Sequence, residues 1–262
     1  MVYKNGELLQ AAAWGRKLDV LRLLNEGAFI KYKNGDGDTA LHLSSGRGKS
    51  QADVQRLVSL VGGVKAMEAV PYYSSEEDST DVVKLLLEKG ANVNVKNGHG
   101  WTALHYASRD GNTGVAAELM EKGADVNAKT GKVVQKLQGL GEGTQALHLA
   151  CESGHTDMVK LLLRQPGIEL QHNSGTNMKG QGLVFNEDRS PLHIAKRWSP
   201  SSGVVQLLEE AIAAKANASH AQTTQVACKE AEIACKKADI ARQQDELAEL
   251  ERQLAALAVE VG

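Results

Sequence analysis

The sequence predicts an all-α solenoid, a stack of helix-turn-helix repeats followed by a long C-terminal helix. Three observations predict it. A short phrase returns four times, as Thr39-Ala-Leu-His42, Thr102-Ala-Leu-His105, Gln145-Ala-Leu-His148 and Ser190-Pro-Leu-His193. Behind each phrase come a small-residue helical stretch, a Gly or Ser break and a second apolar stretch. Two of those second stretches are nearly the same words, Asp81-Val-Val-Lys-Leu-Leu-Leu-Glu-Lys-Gly90 and Asp157-Met-Val-Lys-Leu-Leu-Leu163. Beyond Gly203 there is no glycine before Gly262 and no proline, so the chain reads as helix nearly to its end. Self-similarity at a fixed period marks stacked supersecondary units, each unable to bury its apolar face alone.

These phrases resemble the ankyrin repeat, whose unit is a β-turn followed by two antiparallel helices over about 33 residues. The resemblance covers about residues 6–212 and does not reach the terminal helix. It implies about six repeats with β-turn fingers. The opening unit, 6–34, carries Ala11-Ala-Ala-Trp14-Gly15 and Leu21-Arg-Leu-Leu24. The second, 35–62, follows from Thr39. From Thr39 to Thr102 is 63 residues, close to two units, so a degenerate third repeat is placed at 63–96. Its helices are read at Val64 to Val70 and Asp81 to Lys89, with the polar run 71–79 as an inserted loop. The unit at 97–129 is the strongest match, through Gly100-Trp-Thr-Ala-Leu-His105 and Gly123-Ala-Asp-Val-Asn-Ala128. The fifth, 143–172, and sixth, 187–212, are each preceded by an enlarged finger, at 130–143 and 172–186.

Local chemistry fits this placement. Thr or Ser ahead of a helix caps it by accepting a backbone hydrogen bond, and Pro191 suits the first turn. Gln145 caps less well, which predicts a looser start to its helix. Gly27, Gly90 and Gly123 stand where second helices stop in a left-handed turn. Low aromatic content suits close packing by Ala and Leu.

The domain boundary falls near 214. Over 215–262, Val226, Ile233, Ile240, Leu247, Leu254 and Val261 recur at every seventh residue. With these at position a of a heptad, Leu250 and Leu257 fall at d, whereas Lys229, Lys236 and Gln243 occupy the earlier d positions. Two arrangements fit: a coiled coil between chains through Leu247, Leu250, Leu254 and Leu257, or a helix capping the last repeat, which needs a polar cover. A different helical partner is a third.

Composition narrows the function. The net charge of −2, with dispersed basic residues, leaves no electrostatic footprint for nucleic acid. No stretch approaches the roughly 20 apolar residues of a membrane span, and the start lacks the apolar core of a secretory signal. Three cysteines without framework spacing point to a reducing compartment, the cytoplasm or the nucleus. Five of the eight histidines sit in repeat phrases and read as structural, and His99, His172 and His220 have no metal-ligand neighbours in sequence. Cys151 reads as a small core residue. No catalytic group, cofactor or metal is implied.

Recognition of another protein is what the resemblance implies, through the fingers and the exposed side of first helices. Trp101, just before its phrase, is placed at a finger, and Trp14 and Trp198 at the ends of first helices. Trp is enriched among interface anchors. Arg109 and Asp110 end the strongest first helix, while Lys132 and Phe185 lie in the two enlarged fingers. These seven are the candidate contacts, and an assembly subunit docking by its terminal helix is the alternative.

Overall fold

The computed structural model describes residues 2–46, 76–131, 142–171 and 189–218, together with 225, 229–234, 236, 237 and 242. Two compact units divide between Glu209 and Glu210, slightly ahead of the boundary read from composition.

In the first unit, nine helices carry the stack among the described residues: α1 (Val2–Ala13), α2 (Lys17–Asn25), α3 (Ala40–Ser45), α4 (Glu76–Glu88), α5 (Ala103–Asp110), α6 (Thr113–Glu121), α7 (Ala146–Glu152), α8 (Thr156–Leu163) and α9 (Pro191–Trp198). A further helical run covers 204–218, with Val204 and Leu208 fully buried. The described residues of the second unit are helical too.

The helices form two layers. The inner row runs α1, α3, α5, α7, α9, each packed on the next; the outer row α2, α4, α6, α8 does the same, and each outer helix packs on its inner partner. Apolar spacing makes this possible. In α6, Val115, Ala116 and Leu119 are fully buried; in α8, Met158, Val159 and Leu162 are. Residues three and four apart share one helix face, so these trios fill the seam between neighbouring hairpins. Each buried leucine contributes about 1.5–3 kcal/mol. The outer helices end at Gly27, Gly90 and Gly123, all at positive φ, and Ala28 N, Ala91 N and Ala124 N reach back to Leu23, Leu86 and Leu119 carbonyls at 2.9 Å.

Among the described residues, the segments read as the 35–62 and 63–96 repeats meet in one hairpin. Hairpin α3–α4 is one unit: α3 packs between α1 and α5, and α4 between α2 and α6. The fingers agree. Asn34 N donates to Asp38 O at 3.0 Å and Asn97 N to Trp101 O at 2.9 Å, closing two turns, and Gly98 N donates directly to Asp36 O at 2.8 Å. No third finger stands between them among the described residues. The 63-residue spacing thus holds one described hairpin, α3–α4, and further chain beyond a single unit. Most of that extra chain, including the expected helix from Val64 to Val70, lies outside the described residues.

The polar run expected as a loop through Ser79 is corrected at its end, because α4 begins at Glu76.

Two asparagines join successive hairpins behind the fingers. Asn94 Oδ1 accepts from Asp125 N at 2.8 Å and its Nδ2 donates to Gly123 O at 3.1 Å. Asn127 makes the same pair with Glu169 N and Gly167 O, at 3.0 and 2.9 Å.

Candidate functional site

Two successive fingers are fixed from inside the stack by a histidine of the preceding hairpin. Thr39 N donates to His42 Nδ1 at 3.1 Å, and the Thr39 hydroxyl lies 2.9 Å from the same nitrogen. A backbone amide only donates, so Nδ1 is the acceptor and Nε2 carries the proton. Nε2 then donates to Val95 O and Trp101 O, at 3.1 and 3.0 Å, in the next finger. His105 repeats the arrangement with Thr102 N at 3.1 Å and Thr144 O at 3.2 Å. Both rings are fully buried. Burial pushes the His105 pKa down to about 4 and lowers that of His42 as well, against the raising influence of Asp38. The phrase is therefore a structural clamp held in the neutral tautomer.

Gln145 keeps the reciprocal cap with its histidine. Its backbone N donates to His148 Nδ1 at 3.2 Å, while its side-chain Nε2 turns to Asn127 O and Glu169 Oε2, at 3.2 and 2.9 Å. Helix α7 nevertheless starts at Ala146, in register with Ala40 and Ala103. The bond to histidine holds the start where the hydroxyl is missing.

On the third hairpin, polar and aromatic groups converge at the base of a finger. Asp38 Oδ1 accepts from Asn97 Nδ2 at 2.8 Å and from Tyr106 Oη at 3.0 Å. Asn97 Oδ1 in turn accepts from His99 N and Trp101 N, both at 2.9 Å. Burial, then the neighbouring Asp38 charge, raise the Tyr106 pKa far above its ordinary value, so the phenol remains a donor. The Tyr106 and Trp101 rings meet edge-on at 5.1 Å. Arg109 lies over both, 5.3 Å from Tyr106 and 5.6 Å from Trp101, and holds Asp110 by two bonds of 2.6 and 3.0 Å. Its own carbonyl accepts from His155 Nε2 at 3.0 Å.

This geometry redistributes the candidates read from sequence. Trp101 is 4% exposed. Its ring packs under Tyr106 and Arg109, so it supports the surface from below, and its expected place as an exposed anchor is corrected. Arg109 keeps 38% of its side chain exposed and Asp110 16%, at the middle of the array. Trp198 is 50% exposed at the end of α9, with the Arg197 guanidinium 5.7 Å from its ring. Trp14 is half-buried under Arg16 at 4.7 Å. Trp14 follows directly on the first inner helix and Trp198 ends the last, so the three tryptophans do not form one cluster. Lys132 and Phe185 lie outside the described residues, as do Leu247, Leu250, Leu254 and Leu257. The 130–143 finger closes at its base, with Thr130 N donating to Thr144 O at 3.0 Å and Gly143 N to Thr130 O at 3.1 Å.

A family model for ankyrin repeats matches the chain in three copies, over residues 8–97, 68–130 and 131–221. The chain belongs to the ankyrin-repeat family. Ankyrin repeats are, in general, protein-protein interaction modules. Burial pushes the Cys151 thiol upward, away from the thiolate, and among the described residues no three His, Cys, Asp or Glu side chains gather as a metal site. No helix among them is long and apolar enough to cross a membrane. No curated protein matches the chain.

Sequence reasoning passed over Asp38, Asn97 and Tyr106. A signal was present: Lys33-Asn-Gly-Asp-Gly-Asp-Thr-Ala-Leu-His42 and Lys96-Asn-Gly-His-Gly-Trp-Thr-Ala-Leu-His105 agree at eight of ten positions, which marks the asparagine as part of the finger.

Proposed function

We propose that this ankyrin array is a non-enzymatic adaptor that seats a partner protein on its fingers and inner helices, centred on the third hairpin. The observation that carries this reading is the Arg109 guanidinium, laid over Tyr106 and Trp101 and gripped by Asp110. A side chain already held in one conformation loses less freedom on binding, and Arg and aromatic residues dominate interface energetics. The central position lets a partner reach the hairpins on both sides. Trp198 and Trp14 extend the surface toward the two ends. The buried, free Cys151 suits the reducing compartment of the cytoplasm or nucleus.

The test compares proteins retained by the full chain and by Arg109→Ala, using quantitative mass spectrometry with folding checked by circular dichroism. The expected result is selective loss of a defined partner set, with helicity intact. An unchanged set, or the same loss from Lys84→Ala on the outer row, contradicts the proposal.

A further inference from the structure

Lys33, Lys96 and Lys129 each stand immediately before the residue that opens a finger, on three successive hairpins, and all three are exposed. Lys33 Nζ donates to Lys96 O at 3.0 Å, Lys96 Nζ donates to Lys129 O at 2.8 Å, and Lys129 Nζ lies 3.6 Å from Glu169 Oε2. The ammonium groups thus form a row along the finger edge, one per hairpin, the first two anchored to the main chain of the next finger and the third to Glu169.

We infer that this row binds an extended acidic segment of the partner, with carboxylates recurring at about every third residue. The inference rests on the finger face being the recognition surface. Packed helices repeat at roughly 8–10 Å, and a chain extended in the polyproline II conformation advances about 3.1 Å per residue with three residues per turn, so every third side chain returns to the same face and meets the next lysine. An ammonium group has three donors; a bond to a carbonyl leaves two for a carboxylate. Because the side chains are already tethered, little further rotamer freedom is lost on contact. Three like charges on one edge also repel, and an acidic strand relieves that repulsion.

The carboxylates of these fingers fit the same picture. Asp38 is turned inward onto Asn97 and Tyr106, and Asp125 accepts from Asn127 N at 3.0 Å. Glu169 closes the far end of the row. Asp36, exposed at the first tip, opposes such a partner, so Asp36→Asn strengthens binding. A nucleic-acid strand is a competing polyanion, but three cations on a chain of net charge −2 release few counterions.

The experiment is fluorescence anisotropy on the full chain with two labelled peptides of about 12 residues. Both hold the same Asp, Gly and Ser; one carries Asp at every third position and the other has them clustered at one end. The periodic peptide binds more tightly. Lys33→Gln, Lys96→Gln and Lys129→Gln together, which keep a donor for the carbonyl, weaken it about tenfold. Lys84→Gln, Lys89→Gln and Lys122→Gln on the outer side leave it unchanged. Equal affinity for the two peptides, equal loss in both triple variants, or tighter binding of a single-stranded oligonucleotide overturns the inference. Because the peptides need no natural partner, such a failure leaves the Arg109→Ala result standing, and the two readings fail separately.

Discussion

His42 Nε2 donates to the carbonyl oxygen of Trp101, 3.0 Å away and 59 residues along the chain. That bond joins the cap of one inner helix to the finger feeding the next. It makes α3 and α5 immediate neighbours, and it requires a neutral imidazole whose other nitrogen accepts from Thr39.

Acid should therefore loosen the array. His105 titrates near 4 when folded and near 6.5 when unfolded. Between those values the unfolded chain binds the extra proton, so stability falls as pH falls. The histidine contribution is complete above about pH 6.5 and is lost down to about pH 4, amounting to roughly 3 kcal/mol. His42 acts in the same direction. Glu152, whose pKa burial raises, acts oppositely, so comparison with His105→Gln isolates the histidine. Urea unfolding from pH 7.5 to 4.5 should show a falling midpoint in the wild type and a shallower fall in the variant. A flat wild-type profile contradicts the clamp.

Two finger glycines are expected to be less replaceable than those behind them. A Cβ on Gly37, at φ +80°, would sit 2.5 Å from Gly98 N, and one on Gly100, at φ +76°, would strike Gly131 N. Those amides are the donors that join successive fingers. Gly90 and Gly123 share the left-handed conformation with nothing within 4 Å. Gly90→Ala and Gly123→Ala should cost about 1–2 kcal/mol. Gly37→Ala and Gly100→Ala should cost about 1–3 kcal/mol more, through the bond that must yield. Equal losses in thermal unfolding would show that the fingers give way freely.

Trp101 and Arg109 should separate stability from recognition. Trp101→Ala empties a buried site and is expected to destabilise by about 3–5 kcal/mol. Arg109→Ala removes a half-exposed side chain, with an expected cost below about 1 kcal/mol and a large loss of partner binding. The reverse pattern would restore Trp101 as the anchor.

Much of this was legible in the sequence. The four Thr-Ala-Leu-His-type phrases announced inner helices because each residue type has one task there: cap, small contact, core, clamp. Arg109 and Asp110 could be placed for the same reason. Length was harder to read. The 63 residues from Thr39 to Thr102 suit two units by count, yet the Gly98–Asp36 and His42–Trp101 bonds join the fingers at its two ends directly. Trp101 misled differently. Its position before the phrase is on a finger, but its ring packs against His105, Tyr106 and Arg109 of α5 and is buried there.

The terminal heptads give a separate expectation. If Leu247, Leu250, Leu254 and Leu257 pair two chains, light scattering on the full chain yields a dimer mass and Leu250→Asp with Leu257→Asp yields a monomer. A wild-type monomer removes the coiled-coil proposal.

The central claim is that the finger and inner-helix face receives the partner. Photo-cross-linking in cells addresses it most directly, with a photoreactive residue placed in turn at Lys96, Arg109, Glu88 and Glu121. Covalent adducts to a common protein from Lys96 and Arg109, with none from Glu88 or Glu121 on the outer helices, are the expected result. Adducts confined to the outer positions would contradict the account.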